Sequence, residues 1–124
     1  MMIDAHDGLL AGPAAAARRM GVSIKALRVY EARGLLTPKR TRQGWRYYAP
    51  EDLDRLARAL AFKAMGFGLS QIATLLDAAP DEVAAALAAQ EDQLNARRAA
   101  LDEARDAVRE ARRRIGVPVL RLAA

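Results

Sequence analysis

Along the first half of the chain, hydrophobic residues recur at helical spacing in short runs broken by glycine and proline. Pro13 suits the first position of a helix, where its missing N–H costs nothing, and the alanine-rich stretch to Met20 favours helix until Gly21 stops it. Ser23 follows as an N-cap, with Ile24, Leu27 and Tyr30 at helical period up to Gly34 and both Ile24 and Leu27 on the face expected to pack inward. Two short helices joined by a glycine-containing turn predict a helix-turn-helix. From Lys39 to Tyr48 the pattern becomes strand-like: Gly44 marks a turn, and Trp45, Tyr47 and Tyr48 have the aromatic character that pleated strands accept. Period-two alternation puts Trp45 with Tyr47 on one face and Arg46 with Tyr48 on the other, and Tyr48 is the ring expected to pack inward.

Pro50 opens a third predicted helix, with Glu51 and Asp52 complementing its dipole, an apolar stripe of Leu53, Leu56, Leu60 and Ala64, and a stop at Gly66. Leu69, Ile72, Leu75 and Leu76 supply a fourth helix ending near Asp77. Ala78, Ala79 and Pro80 read as a hinge, after which Asp81 and Glu82 begin a helix with no breaker before Gly116, about 50 Å long at 1.5 Å per residue. Within it Leu87, Leu94, Leu101, Val108 and Ile115 recur every seven residues, the spacing of a coiled-coil seam. The other half of the repeat, Gln90, Arg97, Ala104 and Ala111, is thin, and a lone helix cannot bury such a stripe, so this segment is expected to be a dimerisation arm.

The expected fold is therefore all-α with a small β-hairpin wing. A frayed arm over 1–11, in which Leu9 and Leu10 pack on the first helix, precedes a winged helix-turn-helix domain over 12–77. A coiled-coil helix over 81–115 follows, then an apolar tail over 116–124 in which Pro118 keeps the helix from continuing.

Charge sharpens this outline. The 124-residue chain carries +5 overall, but between Gly12 and Ala49 Arg18, Arg19, Lys25, Arg28, Arg33, Lys39, Arg40, Arg42 and Arg46 face the single acid Glu31. From Pro50 onward the signs nearly cancel. Clustered base is the electrostatic footprint of a polyanion partner, and nucleic acid is favoured over a membrane because no amphipathic anchor or lipidation signal accompanies it; with the helix-turn-helix, the partner expected is double-stranded DNA. Lys25 and Arg28 lie on one helical face, where Arg28 is placed either to read guanine or to hold phosphate, and Arg40, Arg42 and Arg46 carry forks suited to phosphate oxygens.

Other chemistries fall away. There is no cysteine, His6 is the only histidine, and neither a phosphate-cradling glycine loop nor a paired-carboxylate site occurs, so no enzyme, metal site or cofactor is expected. No apolar run is long enough to span a membrane and the N-terminus lacks a signal peptide's positive charge, so the expected location is the cytoplasm.

The segment from Pro13 to Asp77 resembles the N-terminal domain of the MerR family of bacterial transcriptional regulators. It shares the Leu-Arg-x-Tyr-Glu stretch at Leu27 to Glu31, the Gly-Leu-Leu-x-Pro exit, the Gly-aromatic-Arg-x-Tyr wing and Gly-Phe-x-Leu at Gly66 to Leu69. The resemblance implies a winged helix-turn-helix and a long helix pairing in an antiparallel coiled coil. It further implies a two-fold homodimer that bends and untwists a palindromic promoter site, with RNA polymerase as a further partner. By position it assigns Ser23, Lys25, Arg28 and Tyr30 to DNA contact from the recognition helix, and Lys39, Arg40, Arg42, Trp45 and Arg46 to contact from the wing. Two residues depart from the family's pattern: Val29 stands where tyrosine is frequent, and Trp45 replaces the wing tyrosine. The 124 residues hold none of the cysteines of metal-sensing members, and an effector domain of the drug-sensing kind is not expected. Two other readings stay open on the sequence, an adaptor whose coiled coil recruits another protein and a non-specific architectural DNA binder.

Overall fold

The computed structural model describes residues 11–123, with side chains from Ala11 through Gly116. It divides into two compact units, one ending at Val83 and the other starting at Ala84. The first holds four helices, α1 (Pro13–Met20), α2 (Ile24–Ala32), α3 (Pro50–Ala64) and α4 (Leu69–Leu76), and a hairpin of β1 (Lys39–Arg40) and β2 (Arg46–Tyr47). The expectations for Leu9, Leu10 and His6 lie outside the described residues.

The α1–α2 turn is set by Gly21, whose φ of 70° is open to glycine and lets the Val22 amide donate back to the Ala17 carbonyl at 3.0 Å. Ser23 caps α2 as expected, its hydroxyl accepting from the Ala26 amide at 3.0 Å. Only Leu27 and Tyr30 of α2 are buried, and Ile24, expected inward, is exposed. A three-residue spacing drifts about 60° round the helix per step, so α1 can cover only part of the 24–27–30 run.

The strands pair antiparallel with Lys39 opposite Tyr47 and Arg40 opposite Arg46. Ala11 and Tyr48 extend this ladder through two backbone bonds, of 3.0 and 2.7 Å. Ala11 is thus buried in the fold, so the expected frayed arm is corrected at its last residue.

On α3 the buried positions are Leu53, Leu56, Ala59 and Phe62, while Leu60 is half-buried and Ala64 exposed. The expected stripe is rotated toward Phe62 because its ring packs edge-on against Phe67, with centroids 5.7 Å apart. Leu56, Ile72, Leu75 and Leu76 complete the core beneath the helix-turn-helix.

The second unit is helix. α5 runs from Pro80 to Ala123, 44 residues or about 66 Å, rather than stopping at Gly116 as the sequence implied. Gly116 costs only about 1 kcal/mol in a helix. Pro118 removes one amide donor and crowds the carbonyl four residues before it, a cost of about 3 kcal/mol, and the helix nevertheless continues past it. Leu87, Leu94, Leu101, Val108 and Ile115 all lie exposed along α5.

Candidate nucleic-acid interface

α2 is short and amphipathic. Leu27 and Tyr30 face the core, which turns Lys25, Arg28, Val29, Ala32 and Arg33 outward. Lys25 and Arg28 form no ion pair or hydrogen bond among the described residues, so their full charge is available to an external anion. The Ser23 oxygen is engaged in the cap, but its hydroxyl proton can still be donated. Tyr30, assigned by resemblance to DNA contact, is only 6% exposed and belongs to the core, a correction that follows from its sharing a face with Leu27.

The hairpin tip is built by Gly44 at φ 85°. Thr41 accepts from the Trp45 amide through its hydroxyl at 3.1 Å, and Arg40 Nη1 donates to the Gly44 carbonyl at 2.8 Å. Arg40 therefore stiffens the turn with one nitrogen and keeps the rest of its fork outward. Arg42 is exposed and unpaired among the described residues, and Trp45 is 73% exposed, too bare to be hairpin core. An exposed indole of this kind offers a flat apolar body and one N–H donor beside the cations.

Two wing cations have another role. Lys39 Nζ lies 2.8 Å from Asp52 Oδ2 and 3.6 Å from Glu51 Oε1. Asp52 also accepts from the Ala49 amide at 2.8 Å, so one carboxylate caps α3 and tethers β1. Lys39, expected as a wing contact to DNA, is thus paired with two acids of α3, and its ammonium pKa is raised first by the hydrogen bond to Asp52. Arg46 Nη1 sits 3.4 Å from Glu31 Oε2, and the Tyr48 hydroxyl donates to Glu31 Oε1. Glu31, the one acid of the basic segment, is 10% exposed and joins the last turn of α2 to the wing through both partners. Burial first, and then the bond to Glu31, raise the Tyr48 pKa above the usual tyrosine range.

A second brace was not foreseen. Arg55 on α3 donates through Nε to the Leu35 carbonyl at 2.7 Å, and through its two terminal nitrogens to Asp77 at 2.8 and 3.1 Å. Arg58 donates to the Leu76 carbonyl at 3.1 Å. Together they satisfy carbonyls at the exit of α2 and the C-terminal end of α4, where cations also complement the helix dipole. The Asp77 carboxyl is held below its ordinary range by the Arg55 hydrogen bond. The sequence carries a signal for the first brace, a lone acid among nine cations, but none for which α3 arginine turns inward.

Of the cations expected to contact DNA, Lys25 and Arg28 on α2 and Arg42 at the wing tip have no acidic partner among the described residues, and the two elements are tied to each other through Glu31. Among the described residues there is no group of acids and histidines able to hold a metal, and no helix long and apolar enough to cross a membrane.

Comparison with known proteins gives this head a family. Residues 13–79 match the MerR HTH family of regulatory proteins, and residues 53–111 match the MerR DNA-binding region. The transcriptional activator TipA of Streptomyces coelicolor is 38% identical over 92 residues, covering 73% of this chain and 36% of TipA. SkgA of Caulobacter vibrioides, an HTH-type transcriptional regulator, is 43% identical over 81 residues, which are 64% of this chain and 32% of SkgA. The chain thus spans about a third of the length of the curated relatives it matches. Among solved structures, the N-terminus of MtaN, the Bacillus subtilis multidrug transporter activator, superposes with a TM-score of 0.75 at 34% identity, covering 81% of this chain and 95% of that one. HiNmlR, a regulator lacking the sensor domain and solved bound to promoter DNA, gives a TM-score of 0.61 at 26% identity, covering 78% and 79%.

Proposed function

The chain belongs to the MerR family of helix-turn-helix regulatory proteins, whose DNA-binding head it carries, and on that premise we propose that it acts in the cytoplasm as a homodimeric, sequence-specific transcriptional regulator. The observation that carries the reading is the split of its cations. Lys39 and Arg46 pair with the acids that brace the wing, while among the described residues Lys25, Arg28 and Arg42, on α2 and the wing tip, have no acidic partner. In this reading α2 enters the major groove and Arg28 contacts base or phosphate, while the wing, with Arg40, Arg42 and Trp45, lies against the adjacent backbone.

The exposed seam from Leu87 to Ile115 supports pairing with a second copy in an antiparallel coiled coil, which would make the operator palindromic. Bending and untwisting of the operator, and action through RNA polymerase, complete the proposal. Sequence specificity would then draw partly on DNA deformability. Selection of bound duplexes from a random pool by mobility shift tests it: recovery of a two-fold palindrome supports the reading, and recovery of no preferred sequence defeats it.

A further inference from the structure

At the centre of the outward face of α2 stands an aliphatic side chain. Val29 lies about 200° round the helix from the buried Leu27, and it is 41% exposed. Lys25 is one turn before it, Ala32 three residues after it, and Arg28 and Arg33 flank it, all exposed. The result is a small apolar island, Val29 with Ala32, ringed by three cations. Packing does not explain it, since the buried side chains of α2 are Leu27 and Tyr30. Helix propensity does not explain it either, because a β-branched residue in mid-helix is less favourable than alanine or a long polar residue.

The major groove offers one apolar group, the C5 methyl of thymine, among an array of donors and acceptors. We propose that Val29 reads a thymine methyl in each half-site, with Lys25 and Arg28 holding the helix against the neighbouring polar edges and phosphates. A valine here makes no hydrogen bond that would tolerate cytosine or a purine in place of thymine, so it discriminates by contact with the methyl alone. The inference rests on the major-groove docking of α2 proposed above and adds the chemical identity of one recognised base.

Replacing thymine by deoxyuridine removes only that methyl. Each thymine of a selected duplex is replaced in turn, and affinities are measured for the wild type and for Val29→Ala. Alanine is the better helix former at this exposed position, so the variant retains its fold. The wild type should lose about fourfold at one thymine per half-site, the equivalent of ~0.8 kcal/mol for one buried methylene at 1.4 kcal/mol per tenfold, and roughly sixteenfold with both replaced. Val29→Ala should bind the thymine duplex more weakly and show no further loss on the uracil duplex. A wild type indifferent to every replacement, or equal losses in both proteins, overturns the proposal while leaving DNA binding through α2 intact. Failure of the wild type to prefer any duplex overturns it together with the reading beneath it.

Discussion

Tyr48→Phe deletes one hydroxyl at the junction of wing and recognition helix and leaves the packing of the ring unchanged. Tyr48 is 1% exposed, and its hydroxyl donates to Glu31, a carboxylate whose side chain is 10% exposed. Water can replace little of the lost bond, and Arg46 at 3.4 Å remains the other partner of Glu31. A hydrogen bond to a charged group contributes about 1.5–3 kcal/mol, so the expected loss is ~2 kcal/mol, a fall in Tm on the order of 8 °C for a chain of this size. Thermal unfolding followed by circular dichroism measures it, at fixed protein concentration because self-association makes Tm concentration-dependent. Combining Tyr48→Phe with Glu31→Gln should show a coupling of about 1 kcal/mol or more. A loss below about 0.5 kcal/mol, or full additivity of the two changes, would refute the assignment of Glu31 as the link between α2 and the wing.

Further expectations concern the other brace, pH and assembly. Arg55→Met should cost ~1.5–2 kcal/mol in urea unfolding, chiefly through the orphaned Leu35 carbonyl, and Asp77→Asn should cost less because that carboxylate is exposed. Tyr48 and Lys39 both have folded pKa values raised above their ordinary ones. Their contribution is therefore complete below about pH 10 and lost as pH climbs through the folded values. Trp45 fluorescence should accordingly report loosening of the wing only above pH 10, and the change should be smaller in Tyr48→Phe. The depressed Asp77 gives the opposite limb, present above its ordinary value near 4 and lost as pH falls below it, and Asp77→Asn should flatten the acid side of the stability profile. Leu101→Lys places a charge at the middle of the α5 seam and should shift sedimentation from dimer to monomer at low micromolar concentration, whereas an unchanged dimer would move the interface elsewhere.

The helices and the hairpin were legible in the sequence because their punctuation is local. Gly21, Ser23, Gly44 and Pro50 each specify a turn or cap through their own backbone chemistry, and the structure uses all four. Faces were less legible. Ile24 and Ala64, expected inward, are exposed because three- and four-residue spacings drift in opposite senses round a helix, and only the neighbouring element decides which stripe is covered. Cations were harder still. Lys39 and Arg46 read in sequence like Arg42, and their reassignment to bracing depends on Asp52 and Glu31, partners 13 and 15 residues away that only the folded chain brings near. The inward turn of Arg55 toward Leu35 depends likewise on tertiary placement. The end of α5 was expected at Gly116 because that glycine and Pro118 are local helix breakers, and the structure carries the helix past both to Ala123.

The central claim, a head that reads sequence rather than charge alone, is tested most directly by the ratio of affinities for the selected duplex and a scrambled duplex across salt concentrations. A sequence-reading head should give a ratio of at least roughly 10³ that persists as salt weakens both complexes. Arg42→Ala should weaken binding to both duplexes and flatten the salt slopes, while Arg28→Ala should lower the ratio by about 5- to 150-fold where that side chain reads a base. A wild-type ratio near one at every salt concentration would contradict the claim and leave only a non-specific polyanion binder.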